Sequence, residues 1–342
     1  MNNSIIHSYN KFSELKKRNF YKLFIIVLLL IITLIIFFFS LSNGSVELSM
    51  NNIFTSIASM GKAENSHIIW NIRLPRIITA ILVGASLSLS GAILQAVMRN
   101  PLASPGIIGV NAGAGLGATI IIIAMPIYFY YIIPAAFLGS LITSLAIYLL
   151  AWQRGARPTH LILAGIAVAS FVSSLTSSIM IAFPERIHGT VDFMIGSLNA
   201  KTWSHVKICL PYTLTGIILT LLLAKRINIL SLGDDVAYSL GINVERTRIL
   251  LITISSLLAA SAVSVAGLLG FVGLVCPHMM RLLIGSDHRF LLPASIIFSA
   301  ALLTFCDTIG RIIVSPVEIP AGIIMSIIGA PFFLYLLKRK KN

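Results

Sequence analysis

The chain has 342 residues, of which 57% are hydrophobic and 11% are charged, and its formal net charge is +14 at neutral pH. Soluble domains carry about 25% charged residues, so the composition excludes an ordinary soluble protein. Apolar runs of about 20 residues, the length that crosses a bilayer, recur along the sequence. We therefore expect an all-α polytopic membrane protein, because a backbone in hydrocarbon must satisfy its own hydrogen bonds.

Hydropathy predicts about ten membrane helices within a single transmembrane domain, residues 1–342. The first apolar run is longer than the hydrophobic region of a signal peptide, so we expect it to be retained as a helix. The eighth span is short and contains Pro277. The predicted spans cover residues 23–41, 74–96, 106–125, 133–151, 160–182, 204–224, 249–268, 270–284, 290–306 and 319–337.

The placement of Lys and Arg predicts the orientation in the cytoplasmic membrane. With the segment 1–22 in the cytoplasm, 18 of the 25 basic residues fall in cytoplasmic segments and 7 fall outside. This bias agrees with the positive-inside rule, and an even number of spans places both termini in the cytoplasm. The basic residues are scattered over short loops, which does not favour nucleic-acid binding.

Acidic residues are expected only in loops or at span ends, and all eleven fit this description. Ion-coupled secondary transporters usually hold ionisable side chains within the bilayer, so that alternative class is disfavoured. His278 stays open either as a proton relay or as a packed histidine. There is no G-x-x-x-x-G-K-[ST] phosphate loop and no metal-ligand spacing, so we expect no catalytic residue, cofactor or metal site.

Small residues recur in three of the predicted spans. Gly109, Gly113 and Gly117 repeat every four residues, a pattern that lets membrane helices approach closely. The second span carries a series that we interpret mainly as packing, and it comprises Gly84, Ser86, Ser88, Ser90, Gly91 and Gln95. The buried-type cysteines Cys209, Cys276 and Cys306 are interpreted in the same way.

Four serines share one face of the fifth span, because their spacing is i, i+3, i+4 and i+7. They are Ser170, Ser173, Ser174 and Ser177. This face either lines a polar pathway or forms a tight helix contact with its hydroxyl groups bonded back to carbonyl oxygens. The sequence alone leaves both interpretations open.

Two loops contain helical signals. In the cytoplasmic loop 225–248, Gly233 and Gly241 bracket a stretch that begins with Asp234 and Asp235. Acidic residues favour a helix N-terminus and glycine favours its end, so we expect a short helix suited to a soluble partner. In the outer segment 42–72, the spacing of Met50, Ile53, Phe54 and Ile57 predicts an interfacial helix.

Several short motifs are spread over about residues 70–342. They are RLPR at 73–76, GAILQ at 91–95, NPLASP at 100–105, SLGD at 231–234, AYSLG at 237–241, GFVGLV at 270–275 with Pro277-His278, and GAPFF at 329–333. In kind and in order they resemble the permease subunits of ABC importers for iron–siderophores, haem and vitamin B12, the FecCD-type permeases of type II importers.

The resemblance implies a non-catalytic permease that moves a ferric siderophore, with haem and cobalamin as alternative cargoes. It further implies a second permease chain (a copy or a paralogue), two cytoplasmic ATP-binding subunits that hydrolyse ATP, and an extracytoplasmic substrate-binding protein. The fifth and tenth spans would line the pathway between the permeases. That expectation adds weight to the pathway interpretation of the serine face.

The resemblance also assigns residue roles. Arg73, Arg76 and Arg311 match outer arginines that dock acidic residues of the binding protein, and the alternative is anchoring at the membrane interface. Segment 231–241 resembles the helices that couple the permease to the ATPase. Its candidate coupling residues are Leu232, Gly233, Asp234, Asp235, Ala237, Leu240 and Gly241.

Overall fold

The computed structural model describes residues 2–44, 49, 53, 55–56, 66–151 and 158–339. Over these residues the chain forms thirteen α-helices and no strand, which confirms the all-α fold class. The helices are α1 (Asn2–Ser42), α2 (Leu74–Val97), α3 (Val110–Thr119), α4 (Ile132–Ala151), α5 (Pro158–Ala182), α6 (His188–Ile195), α7 (Trp203–Leu222), α8 (Ala224–Leu230), α9 (Asp234–Ser239), α10 (Val244–Ala266), α11 (Val272–Ile284), α12 (His288–Ile312) and α13 (Ala321–Arg339).

The ten predicted spans correspond one to one with helices. Within the described ranges, seven helical segments are long and apolar enough to cross a membrane, and three more are apolar but shorter. Two of the shorter ones, α3 and α11, begin later than predicted. The residue before each helix, Gly109 (φ 73°) or Phe271 (φ 64°), is left-handed, a conformation that a right-handed helix cannot include.

The sequence analysis did not predict two short helices, α6 and α8. Helix α8 follows α7 after a single break at Leu223 (φ −88°, ψ 0°). It contains Lys225 and Arg226, so its residues were assigned to the predicted loop 225–248. Helix α6 has eight residues, too few to stand out in a search for membrane-spanning lengths, and it ends at Gly196 (φ 85°).

Helix α2 is the centre of the fold, with 22 of its 24 residues buried. It packs against α7, α10, α11 and α12. Glycine makes the tightest of these contacts possible, because a Cβ atom on Gly91 would lie 1.7 Å from the carbonyl oxygen of Gly273 on α11. The packing interpretation of the small-residue series in this span is confirmed.

The glycine ridge on α3 also packs as predicted. A Cβ atom on Gly113 would lie 2.1 Å from the carbonyl oxygen of Gly139, and one on Gly117 would lie 2.2 Å from that of Ala135. Ser140 of α4 donates a hydrogen bond to the carbonyl oxygen of Val110 at 3.0 Å. Helices α3 and α4 therefore lie backbone against backbone.

The predicted outer interfacial helix lies largely outside the described residues. Of its four apolar positions only Ile53 is described, and it is buried in a cluster with Leu41, Ile69, Leu74 and Ile77.

The three cysteines are free and buried, as the packing interpretation expected.

Candidate functional site

The predicted site residues lie in three separate regions: the C-terminal ends of α1 and α12 with the N-terminal end of α2, the face of α5, and the segment 231–241, which contains α9. The first region contains Arg73, Arg76 and Arg311. The second contains the four serines, and the third contains the coupling residues. Each region has its own polar chemistry.

Arg76 joins α2 to α12 through a two-pronged ion pair. Its Nε donates to Oδ2 of Asp307 at 2.8 Å and its Nη2 donates to Oδ1 at 2.9 Å. Its Nη1 donates to Oε2 of Glu318, in the segment after α12, at 2.8 Å. Fork geometry of this kind is the strongest form of charge-assisted hydrogen bond, and here it is removed from water.

Arg73 and Arg311 donate hydrogen bonds to the C-terminal end of α1. The last carbonyl groups of a helix have no partner within it. Nη1 of Arg73 donates to the carbonyl oxygens of Leu41 and Ser42. Nη2 of Arg311 donates to Oγ of Ser40 at 2.7 Å and to its carbonyl oxygen at 3.2 Å. Both arginines therefore act as caps for α1.

The three arginines are buried within this chain, whereas an ion pair with a docked protein would place them at the surface. Arg73, Arg76 and Arg311 are 3%, 6% and 5% exposed, respectively. Buried charges need local partners, and α1, Asp307 and Glu318 supply them. A role in docking the binding protein stays a prediction, and it now requires a partner that competes with these internal acceptors.

Asp307 is the functional residue that sequence reasoning missed. It was placed at a span end, but it lies inside α12 and is 2% exposed. An Arg and an Asp, each beside an apolar run at the same predicted membrane boundary, were the available signal. In a bilayer such residues almost always pair with one another.

The serine face of α5 points away from the rest of the chain. All four serines are exposed, whereas Leu161, Val172 and Thr176 are buried. Successive helical residues turn by about 100°, so the centres of the two sets lie about 140° apart. The serine set therefore makes no tight helix contact within the described part of the chain.

One serine of this set bonds to its own helix. Oγ of Ser174 donates to the carbonyl oxygen of Ser170 at 2.9 Å, and Ser178 makes the same bond to Ser174. Such bonds satisfy a hydroxyl group in an apolar surrounding while leaving its oxygen able to accept another. The face is thus compatible with lipid, with a second chain and with a polar pathway.

The short helix predicted in the loop 225–248 is confirmed as α9. Gly233 precedes it (φ 121°) and Gly241 follows it (φ 79°). Both residues have a positive φ, a conformation that residues other than glycine rarely adopt. Ala237 is buried against the protein, whereas Leu232, Tyr238 and Leu240 are 63%, 79% and 57% exposed. Apolar side chains exposed together on a loop between membrane helices indicate an interaction surface.

Asp234 fixes α9 to the membrane helices. Nη2 of Arg248, on α10, donates to both carboxylate oxygens at 2.9 and 3.0 Å. Nη2 of Arg99, just after α2, lies 3.6 Å from Oδ1. Asp235 is exposed and forms no ion pair among the described residues. Of the two predicted acidic residues, Asp234 is the one that connects α9 to α10 and α2.

Helix α8 is fixed separately to α12. Nδ2 of Asn228 donates to Oδ1 of Asp287 at 2.8 Å, and the amide of His288 donates to Oδ1 of Asn228 at 2.8 Å. Hydrogen bonds from Arg289, followed by that from Asn228, hold the pKa of Asp287 well below its usual range. Helices α8 and α9 are thus held by polar contacts to α2, α10 and α12.

Comparison with known proteins identifies the family. Residues 29–339 match the model of the FecCD transport family. The chain is 40% identical over 300 residues to the Fe(3+)-citrate import system permease protein YfmE of Bacillus subtilis, covering 87% of this chain and 90% of that one. It is 42% identical over 275 residues to the cobalamin import system permease protein BtuC of Halobacterium salinarum, covering 80% and 74%.

A solved structure supports the same assignment. It is an inward-facing conformation of a metal-chelate type ABC transporter, and its chain superposes with a TM-score of 0.82 at 31% identity. The match covers 92% of this chain and 99% of that one. This multi-pass membrane chain therefore belongs to the FecCD transport family of ABC importer permeases.

Proposed function

We propose that this chain is the permease subunit through which an ABC importer moves a ferric-siderophore complex across the cytoplasmic membrane. The observation that carries the proposal is the family match over residues 29–339, which includes the apolar cytoplasmic surface of α9. An iron cargo is supported by the relative named as a ferric citrate permease. Relatives named for cobalamin import and for hemin transport support these two cargoes as alternatives within the family.

Helix α9 is the proposed contact for the ATPase. Leu232, Tyr238 and Leu240 offer apolar side chains to a cleft in a cytoplasmic ATP-binding subunit. When ATP closes a pair of such subunits, α9 would move as a short lever. The Asp234–Arg248 pair would pass that movement to α10, and Arg99 would pass it to the end of α2. Displacement of packed helices as rigid units is an established mode of switching.

The proposed pathway runs along α5, between this chain and a second permease chain. The supporting observation is that Ser170, Ser173, Ser174 and Ser177 all face away from the chain that carries them. A second copy or a paralogue would close the other side. The cargo would then pass a surface of hydroxyl groups, which can exchange hydrogen bonds with a polar chelate.

A binding protein is proposed to deliver cargo at the outer end, near Arg73, Arg76 and Arg311, with both termini of the permease in the cytoplasm. Because the guanidinium groups are buried, we expect acidic residues of that protein to be steered by their positive field. Direct contact would require rearrangement of the pair with Asp307 or of the α1 cap.

The proposal is tested by uptake in a strain that lacks this chain, compared with a complemented strain. Labelled iron is supplied on several siderophores, and haem and cobalamin are supplied separately, under iron limitation. Loss of one ferric siderophore that complementation restores is the expected result. Loss of haem or cobalamin uptake alone would assign the alternative cargo.

The same assay distinguishes an ATP-driven importer from a secondary transporter. The expected uptake stops when the Walker A lysine of the partner ATPase is substituted, whether or not a proton gradient is present. Uptake that survives this substitution and stops with a protonophore would contradict the proposal.

A further inference from the structure

A cavity of about 620 Å³ lies among α6, the segment that joins α6 to α7, and the segment before α4. Phe129 and Tyr130 supply aromatic surface, Thr202 and Ser204 supply hydroxyl groups, and Lys201 supplies a cation. Its volume falls within the range of about 300–1,000 Å³ that is typical of small-molecule sites. None of the roles assigned above uses these side chains.

The wall of the cavity is held by backbone hydrogen bonds between distant segments. Ser197 donates its amide to the carbonyl oxygen of Ala266 at 2.8 Å, and Leu268 donates to that of Phe193 at 2.9 Å. A Cβ atom on Gly267, which has φ 76°, would lie 2.3 Å from the carbonyl oxygen of Phe193. These contacts fix the sides of the cavity that α6 and the end of α10 supply, whereas Phe129 and Tyr130 on the opposite side are 62% and 93% exposed.

Lys201 follows a residue with strained backbone. Ala200 has φ 55°, a left-handed conformation that residues other than Gly, Asn and Asp rarely adopt. Such strain persists only where the surrounding structure enforces it, and it occurs preferentially at binding and catalytic sites. The conformation fixes the direction in which the chain presents Lys201 to the cavity.

The ammonium group of Lys201 has no direct anionic partner. Among the described residues it donates no hydrogen bond, and Asp192 attracts it only at longer range. Burial, and then repulsion by Arg76, lowers the pKa of Lys201 to about 8. A desolvated cation beside aromatic surface is the kind of group that a carboxylate ligand would stabilise.

We propose that this cavity binds a small carboxylate-bearing ligand, with Lys201 donating to the carboxylate and Phe129 and Tyr130 covering an apolar or planar part. The proposal rests on the proposed importer function for access from outside the cell. The volume suits a whole small molecule and far exceeds one acidic side chain of a docked protein. Asp192 also lines the cavity and disfavours a ligand of high negative charge.

The test measures binding of salicylate to the permease–ATPase complex in lipid nanodiscs by calorimetry. Salicylamide, a neutral molecule of nearly the same shape, is the ligand control. Lys201→Gln should weaken salicylate binding at least tenfold. Lys201→Arg keeps the positive charge and should bind salicylate within about threefold of the wild-type affinity, as expected for a charge-assisted bond. Lys207→Gln removes an equal charge six residues away, outside the cavity, and should leave binding unchanged.

Equal binding by wild type and Lys201→Gln would overturn the proposal, as would equal affinity for salicylate and salicylamide. If Lys201→Gln instead reduced stimulation of the ATPase by its binding protein while salicylate binding stayed unchanged, the cavity would serve a protein carboxylate. The assay needs neither ATP nor uptake. A failed uptake screen with intact salicylate binding would therefore contradict the importer proposal alone.

Discussion

Helices α2 and α5 both cross the membrane and each contains three or more serines. The serines of α2 are buried and bond to other helices, whereas those on the serine face of α5 are exposed. The most apolar stretch of the second span is 89% buried, whereas that of the fifth is 17% buried. In α2, Ser86 bonds to Thr213 of α7 at 2.8 Å and Ser90 bonds to Ser255 of α10 at 2.7 Å. In α5, Ser174 bonds only to its own helix.

The difference follows from spacing. Ser86, Ser88 and Ser90 are two residues apart, and two residues turn a helix by about 200°, so Ser88 points opposite to the other two. It donates to the carbonyl oxygen of Ser295 on α12 at 3.1 Å. A helix with serines on opposite sides needs neighbours on both sides. A helix with serines on one face can present that face to lipid, to a second chain or to a polar pathway.

The largest expected effect comes from the buried ion pair at the N-terminal end of α2. Arg76→Gln removes both close hydrogen bonds to Asp307 and leaves it only the longer contact with Nε of Arg311 at 3.6 Å, which should cost up to about 3–5 kcal/mol of stability. Thermal unfolding of the purified permease in detergent measures the loss. The double substitution Arg76→Gln with Asp307→Asn should recover part of it.

Arg76→Gln also distinguishes a structural role of Arg76 from a role in docking the binding protein. If Arg76 served mainly as a contact for the binding protein, Arg76→Gln would unfold at the wild-type temperature and show weaker association with that protein. That result would contradict the pairing role derived from the contacts of Arg76 with Asp307 and Glu318.

An intermediate effect is expected at α9, where Asp234 is partly exposed. Asp234→Asn weakens the link between α9 and α10, and a coupling loss of about 0.5–2 kcal/mol would reduce uptake about twofold to thirtyfold. Uptake per assembled complex is the quantity to measure. Asp235→Asn, which removes the same charge from the next residue, is the matched control.

The two Asp variants should differ even though both lie at the start of α9. Equal loss of uptake in both would mean that charge at this end matters and the Arg248 pair does not. Failure of Asp234→Asn to bind the ATPase would shift the role of Asp234 from transmission to docking.

The smallest effect compares single serines in the two helices. Ser90→Ala removes an interhelical hydrogen bond, which in membrane proteins contributes about 0.6 kcal/mol on average. Ser174→Ala removes a bond within one exposed turn and should leave the unfolding temperature unchanged. Equal destabilisation by both would show that the exposed serine face is buried against a partner in the stable unit.

Features that depend on neighbouring residues were predictable from the sequence. The ten spans follow from hydropathy, the α3 ridge from glycines every fourth residue, and α9 from Gly233, Gly241 and the two acidic residues between them. The resemblance to a permease family was confirmed by the match over residues 29–339. Each of these signals is contained within a few helical turns.

Features that join distant segments were not predictable in this way. Arg76 and Asp307 are 231 residues apart. Their shared position at a predicted membrane boundary is compatible with pairing, but it does not specify that the guanidinium group is buried against that carboxylate. The outer cavity likewise needs α6, the segment after it and the segment before α4 to meet. The structure therefore corrected the exposure of the three arginines while leaving the span assignment intact.

The most direct test of the central claim, that the exposed serine face of α5 lines the pathway, is uptake by Ser174→Trp. Phe171→Trp enlarges an exposed position of the same helix that lies off the serine face, and it is the control. We expect both variants to assemble and unfold like wild type, and only Ser174→Trp to block uptake. Normal uptake by a fully assembled Ser174→Trp complex would contradict it.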